Sequence, residues 1–158
     1  METISSPISP EEKNILPITK IDSFTELNWI RLVGDSSEKV EMDDCYQIKN
    51  DEHDVVFTYG ANPCVAGMFQ TKDNKIYMFH SSGILLTDEQ EELISQSKKG
   101  FVGGGKRTLK KYSSLFKDNN IQIVPQPSPI DNNDFNIVFV KKKNLEEDFG
   151  VYYCYAKN

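Results

Sequence analysis

The chain has no excess of positive charge, no long apolar run, and few of the residues that bind metals or form cross-links. Eighteen Lys and Arg stand against 24 Asp and Glu, a net charge of −6, so the basic face that nucleic-acid binding requires is missing. No stretch approaches the roughly 20 apolar residues that span a bilayer. The opening METISSPISPEEKN carries neither the basic start nor the apolar run of a signal peptide. The sequence therefore reads as a soluble chain, cytoplasmic in the cell that makes it, with no nucleic-acid partner and no membrane span. Three cysteines, Cys45, Cys64 and Cys154, leave an odd thiol under any pairing, and no Cys-x-x-Cys or close Cys/His cluster is present. These counts argue against a disulfide framework and a structural zinc site. Histidine occurs only at His53 and His80.

What is there is enough for one core. A chain of 158 residues, 38% hydrophobic and 11% aromatic, supports one well-buried domain more readily than two. Residues 1–20, with Pro7, Pro10 and Pro17 among Ser, Glu and Lys, read as a flexible tail, and residues 21–158 as a single domain. FTELNWIRLVG and KVEMDDCYQIK read as strands or a short helix and strand, and DVVFTYG as a strand ending in a turn. VAGMFQ and IYMFHS predict a hairpin around the polar TKDNK. In TDEQEELISQSKKG, Thr87 and Gln90 form a capping-box pattern, acids crowd the start, and Lys98, Lys99 and Gly100 suit the end of a helix. FVGGG predicts a strand running into a glycine turn. RTLKKYSSLFKDNN predicts a helix with Leu109, Tyr112, Leu115 and Phe116 on one face, and IQIVPQ a strand. FNIVFVKKK and FGVYYCYAK predict a second hairpin around NLEED. The fold class is α+β (mixed α/β), with helices covering a sheet or a pair of sheets.

The chemistry concentrates at TYGANPC and YMFHSSG. Cys64 opens one strand of the first hairpin and His80 closes the other, and an antiparallel hairpin can bring residues sixteen apart next to one another, a spacing that permits the pair without requiring it. A cysteine becomes a nucleophile when a base takes its proton and a third group holds that base in the useful tautomer. Thr58 offers a hydroxyl or carbonyl to accept the Nδ1–H of His80. Gly60 permits a sharp turn, and Pro63 stiffens the residue before Cys64 while lacking an N–H. An oxyanion hole would then use the Cys64 amide and a donor from elsewhere. The competing reading is that PCVAGMF is apolar and Cys64 is core packing. His53, among acids, reads as a solvated loop residue with a carboxylate neighbour, and Cys45 and Cys154 as structural thiols. FVGGGK lacks phosphate-loop spacing, so its glycines are read as serving close backbone approach. The KKKN run at 141–144 reads as the solvated end of a strand.

Thr58-Tyr-Gly-Ala-Asn-Pro-Cys64 resembles the Thr-x-Gly-x-Gly-Ser-Cys nucleophile loop of the chemoreceptor glutamine deamidases. The two strands leading to His80 resemble the segment that carries that family's catalytic histidine. The order of the following helix, FVGGG turn, helix and strand is also similar, so the likeness covers residues 54–126. The catalytic domains of the cytotoxic-necrotizing-factor toxins share that fold. Asn62-Pro63 departs from the family's Gly-Ser, and the SSG after His80 from its Leu-Pro type ending. The resemblance implies a β-sandwich flanked by helices that deamidates a protein glutamine, with Cys64 as nucleophile, His80 as general base and acid, and Thr58 as the orienting group. It implies no metal or cofactor, and a partner that is the protein substrate bearing the target glutamine; because one carboxamide offers little binding energy, loops around the cleft must recognise that protein, and those at 71–75, 103–107 and 127–134 are the candidates. An effector delivered to a host cytoplasm and a chemotaxis-type enzyme both fit, and transamidation is open if an amine replaces water. Another thiol amidase or protease, or a catalytically silent interaction module of the same fold, are the alternatives.

Overall fold

The computed structural model describes residues 18–21, 37–49, 53–127, 133–140 and 150–156. FTELNWIRLVG, residues 1–17 of the tail and the polar loop of the second hairpin lie outside them. Ten strands are present among the described residues: β1 (Thr19–Lys20), β2 (Ser37–Lys39), β3 (Cys45–Ile48), β4 (Val55–Ala61), β5 (Val65–Thr71), β6 (Ile76–His80), β7 (Ser97–Gly104), β8 (Ile121–Ile123), β9 (Asp134–Val140) and β10 (Gly150–Ala156). Three short helices, α1 (Asp88–Ile94), α2 (Lys106–Lys111) and α3 (Ser113–Asp118), complete them.

The strands form two mixed five-stranded sheets, ordered β1-β10-β9-β4-β2 and β3-β6-β5-β7-β8. Val56, Ile137, Phe139 and Val151 of the first pack with Ala66, Met68, Met78 and Phe101 of the second in one buried cluster. The alternate residues of the second sheet, Val65, Phe69, Phe79 and Val102, pack with Ile94, Leu109 and Phe116 of the helices. The domain is thus an α+β sandwich with helices on one outer face. β5 is buried at every position because it is covered on both faces, which is why its sequence is an apolar run rather than an alternation. Each fully buried Phe of these layers contributes about 1.5–3 kcal/mol.

Both predicted hairpins are present: β5 pairs antiparallel with β6 and β9 with β10. The capping box is also as predicted, with Thr87 Oγ1 accepting from Gln90 N–H and Gln90 Oε1 from Thr87 N–H, both at 3.0 Å. The end of that helix needs correction. It stops at Ile94, and Ser97–Gly104 is strand β7. Lys99 and Gly100 pair with Gln70 and Phe69 of β5, so long-range pairing overrides the local stop signal. Gly100 answers to that pairing: a Cβ there would lie 2.5 Å from the Met68 carbonyl oxygen. The following helix is two helices broken at Tyr112, with Leu109 and Phe116 in the core and Tyr112 and Leu115 against it. Thr19 and Lys20, read as the last residues of the tail, form edge strand β1 beside β10. Among the described residues no helix is long and apolar enough to cross a membrane.

Candidate functional site

β4 and β5 belong to different sheets, so the residues between them, Asn62 to Cys64, carry the chain across the sandwich. The Asn62–Pro63 peptide is cis. Just before it β4 bulges: Thr58 pairs with Ile137 and Ala61 with Phe135, one extra residue on the β4 side. Gly60 takes a positive φ of 80° there, and its N–H is satisfied by Asn136 Oδ1 at 2.9 Å. A bulge adds local twist and re-aims the chain. Here it turns β4 into the loop that delivers Cys64.

Pairing register settles the faces. Ala66 pairs with His80, and paired side chains project from the same face of an antiparallel ladder. Ala66 and Cys64 belong to the cluster between the sheets, so Cys64 and His80 face the same interior. Thr58 faces it from the opposite sheet, and its Oγ1 is 2.7 Å from His80 Nδ1. The Thr58 hydroxyl proton is already given to the Val40 carbonyl at 2.8 Å. A hydroxyl has one proton, so Nδ1 must carry the hydrogen of the second bond and Nε2 holds the free lone pair. Nε2 is buried and makes no hydrogen bond, including none to the Cys64 thiol. Burial lowers the His80 pKa, Lys39 lowers it further, and Glu41 and Asp43 partly oppose the shift. The imidazole is therefore held neutral, with its basic nitrogen on Nε2.

The backbone of His80 is anchored as firmly as its ring. Its carbonyl accepts from Asp43 N–H at 2.7 Å and from Gln90 Nε2 at 3.0 Å. Gln90, fully buried, thus caps α1 with its oxygen and holds His80 with its nitrogen. On the cysteine side, Gly105 N–H donates to the Cys64 carbonyl at 3.0 Å and Thr108 Oγ1 to the Pro63 carbonyl at 2.7 Å. A Cβ at Gly104 would lie 2.3 Å from the Cys64 oxygen, and one at Gly105 2.7 Å from the Pro63 oxygen. FVGGG is a bed for the Asn62–Cys64 loop, the close backbone approach that its glycines predicted. No bond from the Cys64 N–H to any described residue accompanies these contacts.

The other candidates sort differently. Cys45, Cys64 and Cys154 are all free thiols. Burial, with Glu89 and Asp44 nearby, pushes the Cys45 thiol up to about 12, so it is protonated at neutral pH and unreactive. Cys45 borders an open groove of about 400 Å³ with Asp44 and Glu89, which none of Thr58, Cys64 and His80 lines. His53 meets Glu38 at 3.2 Å. The 71–75 loop is misplaced as a substrate loop: it lies at the far end of the seven-residue β5, about 20 Å from Cys64. The 103–107 segment touches Pro63 and Cys64 directly. Of the 127–134 loop, Asn133 reaches the site, its carbonyl accepting from Asn62 Nδ2 at 3.1 Å. Among the described residues no three His, Cys, Asp or Glu side chains converge as metal ligands.

Sequence reasoning missed Val40, Gln90, Thr108 and Asn136. Asn136 had a visible signal, a polar residue inside the apolar FNIVFV, since a buried amide must find partners. Val40 had none, because it acts through its carbonyl.

The state of His80 also governs stability. The unfolded chain takes up a proton near pH 6.5, whereas the folded state resists it to a lower pH. Stability is then highest above that pH and declines as pH falls from 6.5 toward the folded pKa. Urea unfolding at pH 7.5 and 5.5 should show this decline, and a His80→Gln variant should show less of it. An equal decline in both proteins would mean that His80 is not held neutral by the fold.

No protein-family model matches the chain, and a search of curated proteins finds no match.

Proposed function

We propose that the protein is a cysteine-dependent protein-glutamine deamidase, with Cys64 as nucleophile, His80 as general base and acid, and Thr58 as the orienting group. The observation that carries this reading is the relay from the Val40 carbonyl through Thr58 Oγ1 to His80 Nδ1, which leaves Nε2 basic and unbonded on the face shared with Cys64. A hydrogen-bonded orienter behind the base is what an activated nucleophile requires.

In the proposed reaction, Nε2 takes the proton of the Cys64 thiol and sulfur attacks the carboxamide carbon of a glutamine side chain. The oxygen that gains charge is met by the Cys64 N–H. Collapse of the tetrahedral species breaks the C–N bond as His80 returns the proton to nitrogen, and ammonia leaves. Water, deprotonated by the same nitrogen, then attacks the thioester; sulfur leaves and regains its proton, and the products are glutamate and ammonia. No redox partner is required. Cys64 and His80 are 6% and 4% exposed, so the substrate side chain must enter beside the exposed Pro63. A lone carboxamide supplies little binding energy, so the protein that carries it must be recognised by the surrounding loops.

Incubation with a host or endogenous proteome should release ammonia and convert a particular Gln to Glu, read by mass spectrometry. A full proteome survey with neither change would overturn the reading. The near-complete burial of Cys64, and its lack of a bond to His80, favour a second reading, a catalytically silent interaction module. On that reading Cys64 would be alkylated in the native state as slowly as Cys154.

A further inference from the structure

We infer that Ser81 is a positioning residue that sets the separation of Cys64 and His80; the inference rests on reading those two residues as a working pair. The β5/β6 ladder ends at Ala66 and His80. The next step would pair Val65 with Ser81, exchanging two backbone bonds in the regular antiparallel pattern. Only one of them forms: Ser81 N–H donates to the Val65 carbonyl at 2.8 Å. The other partner is changed. Val65 N–H donates to the Ser81 side-chain oxygen at 2.9 Å.

A hydroxyl has taken the place of a main-chain carbonyl. The substitution lets the chain leave β6 directly after His80, into the turn bridged by Ser82 and Leu85, without orphaning a buried amide. Val65 and Ser81 are both fully buried, so water cannot replace the hydroxyl, and an amide left without an acceptor there is costly. Val65 follows Cys64 and Ser81 follows His80, so the hydroxyl bond, with the backbone bond beside it, ties the two residues adjacent to the pair. Small Ala66, opposite His80, gives the imidazole room.

The test is a double-mutant cycle read on the native protein, with no substrate needed. Cys64 alkylation by iodoacetamide at pH 7 is followed by peptide-level mass spectrometry in wild type, Ser81→Ala, His80→Ala and the double variant. Ser81→Ala is expected to slow Cys64 labelling about five- to tenfold, the effect of one buried bond lost, and to have no further effect once His80 is removed. Equal slowing in both backgrounds, or none in the first, overturns the role of Ser81 while leaving the pair intact. No slowing by His80→Ala alone overturns the pair, and the inference with it. Should Ser81→Ala fail to fold, hydrogen exchange on the unaltered protein decides: the Val65 amide must be protected, and free exchange there overturns the inference.

Discussion

Replacing His80 with alanine is expected to lower the rate of the proposed deamidation by about 10²–10⁴-fold, the usual contribution of a positioned general acid–base. It should also slow native-state alkylation of Cys64. Both effects have the same origin. Cys64 lies in the apolar layer with Ala66, Met68 and Phe101, on the face it shares with the His80 imidazole, the base proposed to take its proton. Thr58→Val should reproduce a smaller part of the loss, because it removes the orienting bond at 2.7 Å and leaves the ring able to present either nitrogen. Cys45, raised to about 12, serves as an internal control that neither substitution should alter. A His80→Ala variant with undiminished rate would sink the mechanism, since no other histidine faces this interior.

The second large effect is on folding. Gly104→Ala is expected to cost about 4 kcal/mol, the sum of backbone strain and overpacking. The φ of Gly104 is 137°, a value L-residues seldom adopt, and the added Cβ would sit 2.3 Å from the Cys64 carbonyl oxygen and 2.7 Å from Val65 Cα. Neither neighbour is a flexible side chain that can swing away. Gly150 separates the two causes: its φ is 136°, yet nothing lies within 4 Å of its would-be Cβ, so Gly150→Ala carries the strain alone. Urea unfolding of both variants measures the difference. Against a typical domain stability of about 5–15 kcal/mol, that loss removes roughly a quarter to most of the total. A loss no greater than that of Gly150→Ala would show that the FVGGG turn does not bear on the Asn62–Cys64 loop.

The two hairpins, the capping box and the sheet-rich α+β class were legible because each rests on local rules: alternation or an apolar run closed by polar turns, and Thr87 three residues before Gln90. The helix end was misread at Lys98-Lys99-Gly100 because the same residues that terminate a helix also fit the start of an interior strand, and only β5 arbitrates. The glycines of FVGGG could be seen to allow a close approach, but not what approaches. At the site, Cys64, His80 and Thr58 were nameable from residue type and hairpin spacing. Their supporting residues were not, because Val40, Gln90 and Asn136 act from 10 to 76 positions away from the groups they hold.

By itself, then, the sequence determined the strands of the two hairpins, where the first hairpin turns, and which thiol, imidazole and hydroxyl are candidates for chemistry. Only the tertiary structure decided that β4 and β5 lie in different sheets, so that Thr58 reaches His80 across the sandwich rather than along a strand. It alone decided the tautomer, because the Val40 carbonyl claims the single proton of Thr58 and leaves His80 to donate from Nδ1. Local pattern sets how a segment folds; the partner of a buried polar atom is set by whichever distant segment packing brings to it.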